Sequence, residues 1–346
     1  MAATIKQVAA AAGVGIATVS RVFSGAGPVS AATRERVLAA ARELDYRPSA
    51  AARSLKTRRA GGLGLIVPDV TEPFGAALVA GVLDCARSLG EHVLLDASQG
   101  DPAREAEIVE RMRAQGVGGI IAVPAGDPET WRPVVRAGTT VVFADRALPE
   151  LPRVPAVLTD DASGVRSLTE YLVGLGHRRI AFLGATGPGR PADARERAFR
   201  ATLEGLRVPV DEELVVAARP ERDSAYAAAA GLLQARADVT AVLAAGHLVG
   251  EAAVLVAREL DLRVPADVSI AMVDDVAWAE LCDPPLTAVA RSGHAVGYHA
   301  CETAAREPSR RAAPGPLLLP TELVIRGSCR PPRGRSVREA GTSRAR

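Results

Sequence analysis

Aromatic residues are scarce, with 5 Phe, 4 Tyr and 2 Trp in 346 residues, so Leu, Val, Ile and Ala must fill the core. Cysteine is nearly as rare. Cys85, Cys282, Cys301 and Cys329 lie far apart without paired or metal-ligand spacing, which fits reduced thiols rather than a disulfide framework. The five histidines include no pair four residues apart, so no zinc site is expected. No apolar stretch reaches membrane-spanning length, and "MAATIKQVAA" at the start has no basic segment leading into a long apolar run. The sequence therefore predicts a cytoplasmic protein without a signal peptide or membrane span. Catalytic groupings are missing as well: "GATGPGRP" at 184–191 lacks the Lys and Ser/Thr of a phosphate loop. The chain reads as a non-enzyme with no cofactor.

What is present is a globular composition, 48% hydrophobic and 24% charged, long enough for two or three domains. The net charge of +2 conceals an uneven distribution: residues 1–59 carry +7, residues 330–346 carry +5, and the stretch between them carries −10. A basic head on an acidic body points to one end that meets a polyanion.

The head has the pattern of three short helices. In "TIKQVAAAAG", Thr4 and Gln7 have the spacing of a reciprocal cap, Gly13 ends the run, and Ile5, Val8, Ala9 and Ala12 form one apolar face. "GIATVSRVFSG" predicts a second helix with Val19, Val22 and Phe23 inward. "SAATRERVLAAARELDY" predicts a third, capped by Ser30, with Val37, Leu38, Ala41 and Leu44 on its buried side. Two short helices joined by a tight Gly-containing turn are a helix-turn-helix pattern. In such a unit the second helix enters the major groove. Thr18 and Ser20 can then bond phosphate oxygens, Ile16 and Ala17 can meet thymine methyls, and Arg21 can fork onto a guanine or clamp a phosphate. "RPSAAARSLKTRRAGG" (47–62) reads as a linker, too short for a helix that stands alone.

From Leu63 the texture changes. "GLGLIVPD", "EHVLLDAS", "GGIIAVPA", "TTVVFAD", "AVLTD", "RRIAFLG", "DVTAVLAAG" and "DVSIAMVDD" read as strands, with amphipathic helices between them. That alternation predicts doubly wound parallel sheets, and its length predicts two sub-domains with a cleft between them. Ligands of such sheets sit beyond the carboxyl ends of the strands, where Asp69, Asp145, Asp160 and Asp274 fall. Each can accept from a hydroxyl or can serve as a helix cap or loop anchor.

The motifs "ATVSRV", "VSAATRERV" and "YRPSAAARSL", in this order and spacing, resemble the DNA-binding domain of the LacI/GalR family of repressors. "GLIVPDVTEPFGAALVAGV", "GHRRIAFLG", "LRVPADVSIAMVDD", "DPPLTAV" and "LLLPTELVIRGS" extend the resemblance to the periplasmic-binding-protein type I fold of its effector domain. The resemblance implies an all-α DNA-binding domain at 1–48, a hinge at 49–60, an effector-binding and dimerisation domain at 61–329, and a disordered basic tail at 330–346. The effector domain would divide into 61–159 plus 291–320, and 160–290 plus 321–329. DNA contacts are implied for Thr4, Ile16, Ala17, Thr18, Ser20, Arg21 and Ser30, and in the hinge for Arg53, Leu55 and Lys56, with Leu55 wedged into the minor groove. Effector contacts are implied for Phe74, Asp145, Arg195, His247 and Asp274.

The implied partners are a pseudo-palindromic operator, a sugar-like effector and a second copy of the chain. A periplasmic solute-binding protein would share the body but needs a signal peptide and has no use for the basic head. The chain departs from the family pattern at Gly15 and Ser49, where other capping residues are usual, at Gly75 and Pro220, where aromatics are usual, and at Gly246-His247, where Asn-Asp is common. His247 could add a titratable donor to the cleft or could be an uninvolved loop residue.

Overall fold

The computed structural model describes residues 3–24, 27–46, 62–185, 194–219, 221–306 and 315–332. The head consists of α1 (Ile5–Ala12), α2 (Ile16–Ser24) and α3 (Ala31–Glu43). The Thr4–Gln7 cap forms in both directions, the Gln7 N–H donating to Thr4 Oγ1 at 3.4 Å and the Thr4 N–H to Gln7 Oε1 at 2.8 Å. Gly13 ends α1 at φ 64°, a left-handed conformation that costs glycine little. Val8, Val19 and Val37, all fully buried, bring the three helices onto one core, and Phe23 meets Tyr46 edge-on at 5.8 Å. One expectation fails here: Leu38 is 38% exposed. The inner face of α3 runs through Val37, Ala40 and Ala41, and Leu38 stands about 100° around the helix from Val37.

The body contains two six-stranded sheets. The first is built from β1 (Leu63–Val67), β2 (Val93–Ala97), β3 (Gly119–Ala122), β4 (Thr140–Ala144) and β5 (Ala156–Thr159). These alternate with α4 (Pro73–Leu89), α5 (Pro102–Ala114) and α6 (Pro128–Arg136). After α7 (Asp161–Gly174) the second sheet takes β6 (Ile180–Ala185), α8 (Ala194–Gly205), β7 (Val215–Ala218), α9 (Arg222–Ala235), β8 (Ala241–Ala244), α10 (His247–Glu259) and β9 (Ser269–Val273). It closes with α11 (Ala277–Leu281) and β10 (Thr287–Ala290). The chain returns as α12 (Gly293–Ala305) to the first sheet, adds β11 (Leu317–Leu319) there, and ends with β12 (Glu322–Val324) in the second. The strand orders are β11-β5-β4-β3-β1-β2 and β12-β10-β9-β8-β6-β7, all parallel except β12 against β10. β1, β3, β8 and β9 are buried along their whole length, as parallel strands covered by helices on both faces must be. Four strands, β7, β10, β11 and β12, are missing from the series read off the sequence. β7, β11 and β12 lie at sheet edges and are only partly buried, so their apolar runs are weak, while Pro284 and Pro285 precede β10 and Pro320 stands between β11 and β12.

The chain passes between the lobes three times, after β5, after β10 and between β11 and β12, and these crossings are tied together. The Asp160 N–H donates to the Leu319 carbonyl at 2.8 Å, Thr321 Oγ1 donates to the Asp160 carbonyl at 3.1 Å, and Arg291 Nη1 donates to Thr159 Oγ1 at 3.2 Å. In the first lobe α4 and α12 pack backbone to backbone: a Cβ on Gly81 would overlap the His294 carbonyl, and one on Gly297 would overlap that of Leu78. This contact fixes α12, and the Arg291 segment just before it, to the first lobe.

Two buried titratable groups, one per lobe, oppose each other in their effect on stability. Glu105 on α5 is fully buried, accepting from the Ala125 N–H at 2.7 Å and from Trp131 Nε1 at 2.9 Å; burial pushes its pKa up to about 7. His177, also fully buried, shares a hydrogen bond with Thr240 Oγ1 at 2.9 Å, and burial pushes its pKa down to about 4. The folded state holds the Glu105 proton more tightly than the unfolded chain, so this group's contribution falls as pH rises from 4.5 to 7. The folded state holds the His177 proton less tightly, so its contribution rises from pH 4 to 6.5. Each effect is worth roughly 3 kcal/mol over its window. Relative to wild type, His177→Gln should lose stability with rising pH between 4.5 and 6.5, and Glu105→Gln should gain it. Urea unfolding at several pH values reads both, and parallel curves for wild type and variants would contradict the assignment.

Candidate functional site

Two surfaces draw together the residues expected to act. On α2, Val19 and Val22 turn into the core while Ile16, Ala17 and Arg21 are exposed and Thr18 and Ser20 half-buried. The helix starts at Ile16 without a side-chain cap from Gly15, whose carbonyl accepts from the Thr18 N–H at 2.9 Å and the Val19 N–H at 3.2 Å. Polar and small side chains thus line the open face and its N-terminal turn. Ser30 Oγ accepts from the Thr33 N–H at 3.3 Å and caps α3, and Thr4 caps α1; both remain exposed. Arg53, Leu55 and Lys56, expected in the hinge, lie outside the described residues, as does Pro220.

The second surface is the junction of the lobes. Of the four strand-end aspartates, two serve only the chain itself. Asp69 Oδ1 accepts from both the Thr71 N–H and hydroxyl at 2.7 Å, and Asp160 caps α7 by accepting from the Ser163 N–H at 3.1 Å. The other two, Asp145 after β4 and Asp274 after β9, hold left-handed backbones at φ 61° and 77°, an uncommon conformation for a residue with a Cβ. Both carboxylates reach a residue that the sequence reading missed, Arg291, in the crossing after β10.

Arg291 is the centre of the cluster, with its side chain 4% exposed. It donates to Asp274 Oδ1 at 2.7 Å, to Asp145 Oδ1 at 3.1 Å and to Asp161 Oδ2 at 3.3 Å, and its guanidinium lies over the Phe74 ring at 4.0 Å. Asp161, also missed, binds Arg195 at 2.7 Å, and Arg195 Nη1 donates onward to the Ala245 carbonyl at 2.5 Å. His247 opens α10 and points into the same space. Its Nδ1 is 3.4 Å from Glu72 Oε1 and 3.8 Å from Asp274 Oδ2. Glu72, a third missed residue, caps α4 by accepting from the Gly75 N–H at 2.6 Å. Gly75 is glycine for a local reason, since a Cβ there would sit 2.6 Å from the Asp69 carbonyl oxygen and 3.3 Å from Glu72 Oε2. Phe74, Asp145, Arg195, His247 and Asp274, the five residues expected at the effector site, are therefore gathered in one cluster.

The electrostatics follow from close packing. Burial would push the carboxyl groups of Asp274 and Asp161 up, but Arg291 and Arg195, helped at Asp274 by His247, hold both below the usual carboxylate range. Burial opposes the charge on Arg291, yet Asp274, Asp161 and Asp145 keep it fully protonated. Burial also works against the His247 imidazolium, and the Asp274 and Glu72 carboxylates more than offset it, raising its pKa. The cluster offers carboxylate acceptors, guanidinium donors and one aromatic face, a set suited to a hydroxyl-rich ligand. Sequence signals for the missed residues did exist. Asp160-Asp161 is a pair of which only one can cap the helix, and Arg291 puts a charge at the end of the apolar run "LTAVA".

Comparison with known proteins places these features. The family profile described as bacterial regulatory proteins, lacI family, matches residues 4–49, and a periplasmic binding protein-like domain matches residues 169–329. The HTH-type transcriptional regulator DegA of Bacillus subtilis is 32% identical over 336 residues, which is 96% of this chain and 99% of DegA. Among solved structures, the transcriptional regulator CelR in complex with cellobiose superposes with a TM-score of 0.69 at 32% identity, covering 94% of this chain and all of that one. The Lac repressor dimer bound to its operator and the anti-inducer ONPF gives a TM-score of 0.83 at 27% identity, covering 95% and 99%. Among the described residues no helix is long and apolar enough to cross a membrane.

Proposed function

The chain belongs to the lacI family of bacterial regulatory proteins, and from that premise we propose that it is a sequence-specific repressor of transcription whose operator affinity follows a sugar or sugar derivative held between the lobes. The observation that carries the reading is α2, with one face buried through Val19 and Val22 and the other presenting Ile16, Ala17, Thr18, Ser20 and Arg21. In this reading Thr18 and Ser20 bond phosphates, Ile16 and Ala17 meet base methyls, and Arg21 reads a base. Thr4 and Ser30 touch the backbone beside them. The hinge residues Arg53 and Lys56 neutralise phosphates, and Leu55 enters the minor groove at the centre of the site.

The domain reading is 1–48 for DNA binding, 49–60 for the hinge and 61–329 for effector binding and dimerisation. Its division into 61–159 plus 291–320 and 160–290 plus 321–329 accords with the assignment of β11 and β12 to different sheets. Two copies related by a two-fold axis put two recognition helices in successive major grooves. Phe74, Asp145, Arg195, His247 and Asp274 hold the effector, which acts through its different affinity for two arrangements of the lobes. The sugar-bound CelR structure supports the ligand class.

Selection of bound duplexes from a random DNA pool tests the reading. It should enrich two inverted half-sites, and in a thermal-shift screen of sugars, polyols and nucleosides one class should stabilise the protein and change its affinity for the enriched duplex. A pool that stays random after selection would defeat the DNA-binding reading.

A further inference from the structure

We propose that Glu72, His247 and Asp274 form a binding site for one divalent transition-metal ion of the zinc class, bridging the two lobes. The inference rests on the cleft being the effector site and adds a metal to its chemistry. The three side chains come from three elements. Glu72 precedes α4 in the first lobe, while His247 opens α10 and Asp274 follows β9 in the second. One potential ligand atom of each lies within 4.8 Å of the other two. A tetrahedral ion with bonds of about 2.0–2.1 Å holds its ligand atoms about 3.3–3.4 Å apart. The observed separations from His247 Nδ1 are 3.4 Å to Glu72 and 3.8 Å to Asp274.

The remaining oxygen of each carboxylate already has a partner that sets its direction. Glu72 Oε2 accepts from the Gly75 N–H at 2.6 Å, and Asp274 Oδ1 accepts from Arg291 at 2.7 Å. Such outer partners are what orient metal ligands in built sites. Charge supports the same ion. The carboxylates of Glu72, Asp145, Asp161 and Asp274 outnumber the guanidiniums of Arg146, Arg195 and Arg291, so the cluster has an excess of negative charge that a cation offsets. Nitrogen and oxygen donors in a set of three match a zinc-class ion with a fourth position left for water or an effector hydroxyl. A metal here links the lobes directly and gives the effector a Lewis-acidic contact. The Gly246-His247 sequence, which departs from the family pattern, thereby acquires a ligand role.

The test uses the full-length protein freed of metal with a chelator and titrated with Co²⁺, followed by its visible spectrum, and with Zn²⁺, followed by calorimetry. The expected result is one equivalent per chain with tetrahedral cobalt bands. His247→Gln and Glu72→Gln should each weaken binding by about tenfold or more, Glu72→Gln retaining an oxygen to cap Gly75. His247→Cys should keep the ion and add a thiolate-to-cobalt band. Operator binding of the metal-free protein is measured on the same samples. Operator binding without a stoichiometric metal, or metal affinity unchanged in both Gln variants, overturns the metal site alone; absence of specific DNA binding in the metal-free and the metal-supplemented protein alike overturns the regulator reading instead.

Discussion

Arg291→Met should be among the most damaging single substitutions in the cleft. The side chain it removes is 4% exposed and holds the carboxylates of Asp274, Asp145 and Asp161 together. Methionine has similar reach and keeps an apolar contact with Phe74, so the loss is the charge and its hydrogen bonds rather than volume. Breaking one side of a buried ion pair costs about 3–5 kcal/mol, because the partner is left charged in a place that water does not reach. Asp161 keeps its ion pair with Arg195, so the loss falls on Asp145 and above all on Asp274, the more buried of the two. The decisive comparison is the double variant. Arg291→Met with Asp274→Asn removes the orphaned charge together with its partner and should recover part of the stability lost in Arg291→Met alone, as measured by urea unfolding. Arg291→Lys should fall between wild type and Arg291→Met, because an ammonium keeps the charge but cannot reach three acceptors with a planar fork. A double variant less stable than Arg291→Met would show that Asp274 is held by something other than this pair.

The effector response should also be lost in Arg291→Met. Arg291 belongs to the segment that joins β10 of the second lobe to α12, which packs on the first, and it is bonded to side chains from both. A ligand entering between Phe74 and Asp274 must take hydrogen bonds that Arg291 now makes, so it couples directly to the segment joining the lobes. In the proposed population shift, the two arrangements would differ in which groups satisfy Arg291. Calorimetry with whichever ligand the screen selects, repeated on the Arg291→Lys protein, separates a binding defect from a coupling defect.

How far the sequence carried differs by region. The head was read nearly in full, because its helices announce themselves through a cap at Thr4, a left-handed stop at Gly13 and apolar spacing through Val8, Val19 and Val37. Leu38 was misplaced because apolar character alone does not fix the angle around a helix. The two parallel sheets were legible from fully buried strands such as β3 and β9, whereas the short edge strands β11 and β12 were not. In the cleft, strand ends predicted the location of Asp145 and Asp274 but could not separate them from Asp69 and Asp160, which anchor a turn and cap a helix. The spare carboxylate of the Asp160-Asp161 pair and the charge after "LTAVA" marked Asp161 and Arg291 as unusual, but their partners lie in crossings far apart in the chain and are visible only in the fold. His247 was expected at the effector site with a loop role as the alternative, and only the fold shows that it faces Glu72 and Asp274.

Operator binding should fall steeply with salt, and the slope should discriminate among the α2 side chains. Residues 1–59 carry a net +7 per chain, so a dimer brings 14 net positive charges to the DNA. A protein that neutralises about 6–10 phosphates loses roughly 10³–10⁵ in affinity between 50 and 200 mM salt, through release of condensed counterions. Fluorescence anisotropy on the enriched duplex and on a scrambled one, at four or more salt concentrations, gives both the affinity and the slope. Arg21→Ala is the informative variant, because the exposed Arg21 on α2 could serve either base or phosphate. As a base reader it contributes about 1–3 kcal/mol of discrimination per bidentate contact. Its removal from both half-sites should then weaken the operator complex by roughly 30-fold to 10⁴-fold while leaving the scrambled duplex and the salt slope nearly unchanged. Thr18→Ala and Ser20→Ala should instead weaken both duplexes alike, since a neutral hydroxyl on a phosphate carries neither sequence information nor a counterion. Equal losses on both duplexes for Arg21→Ala, with the slope reduced by about one per half-site, would move Arg21 to the phosphate backbone. Sequence reading would then have to come from Ile16, Ala17 and the shape of the DNA.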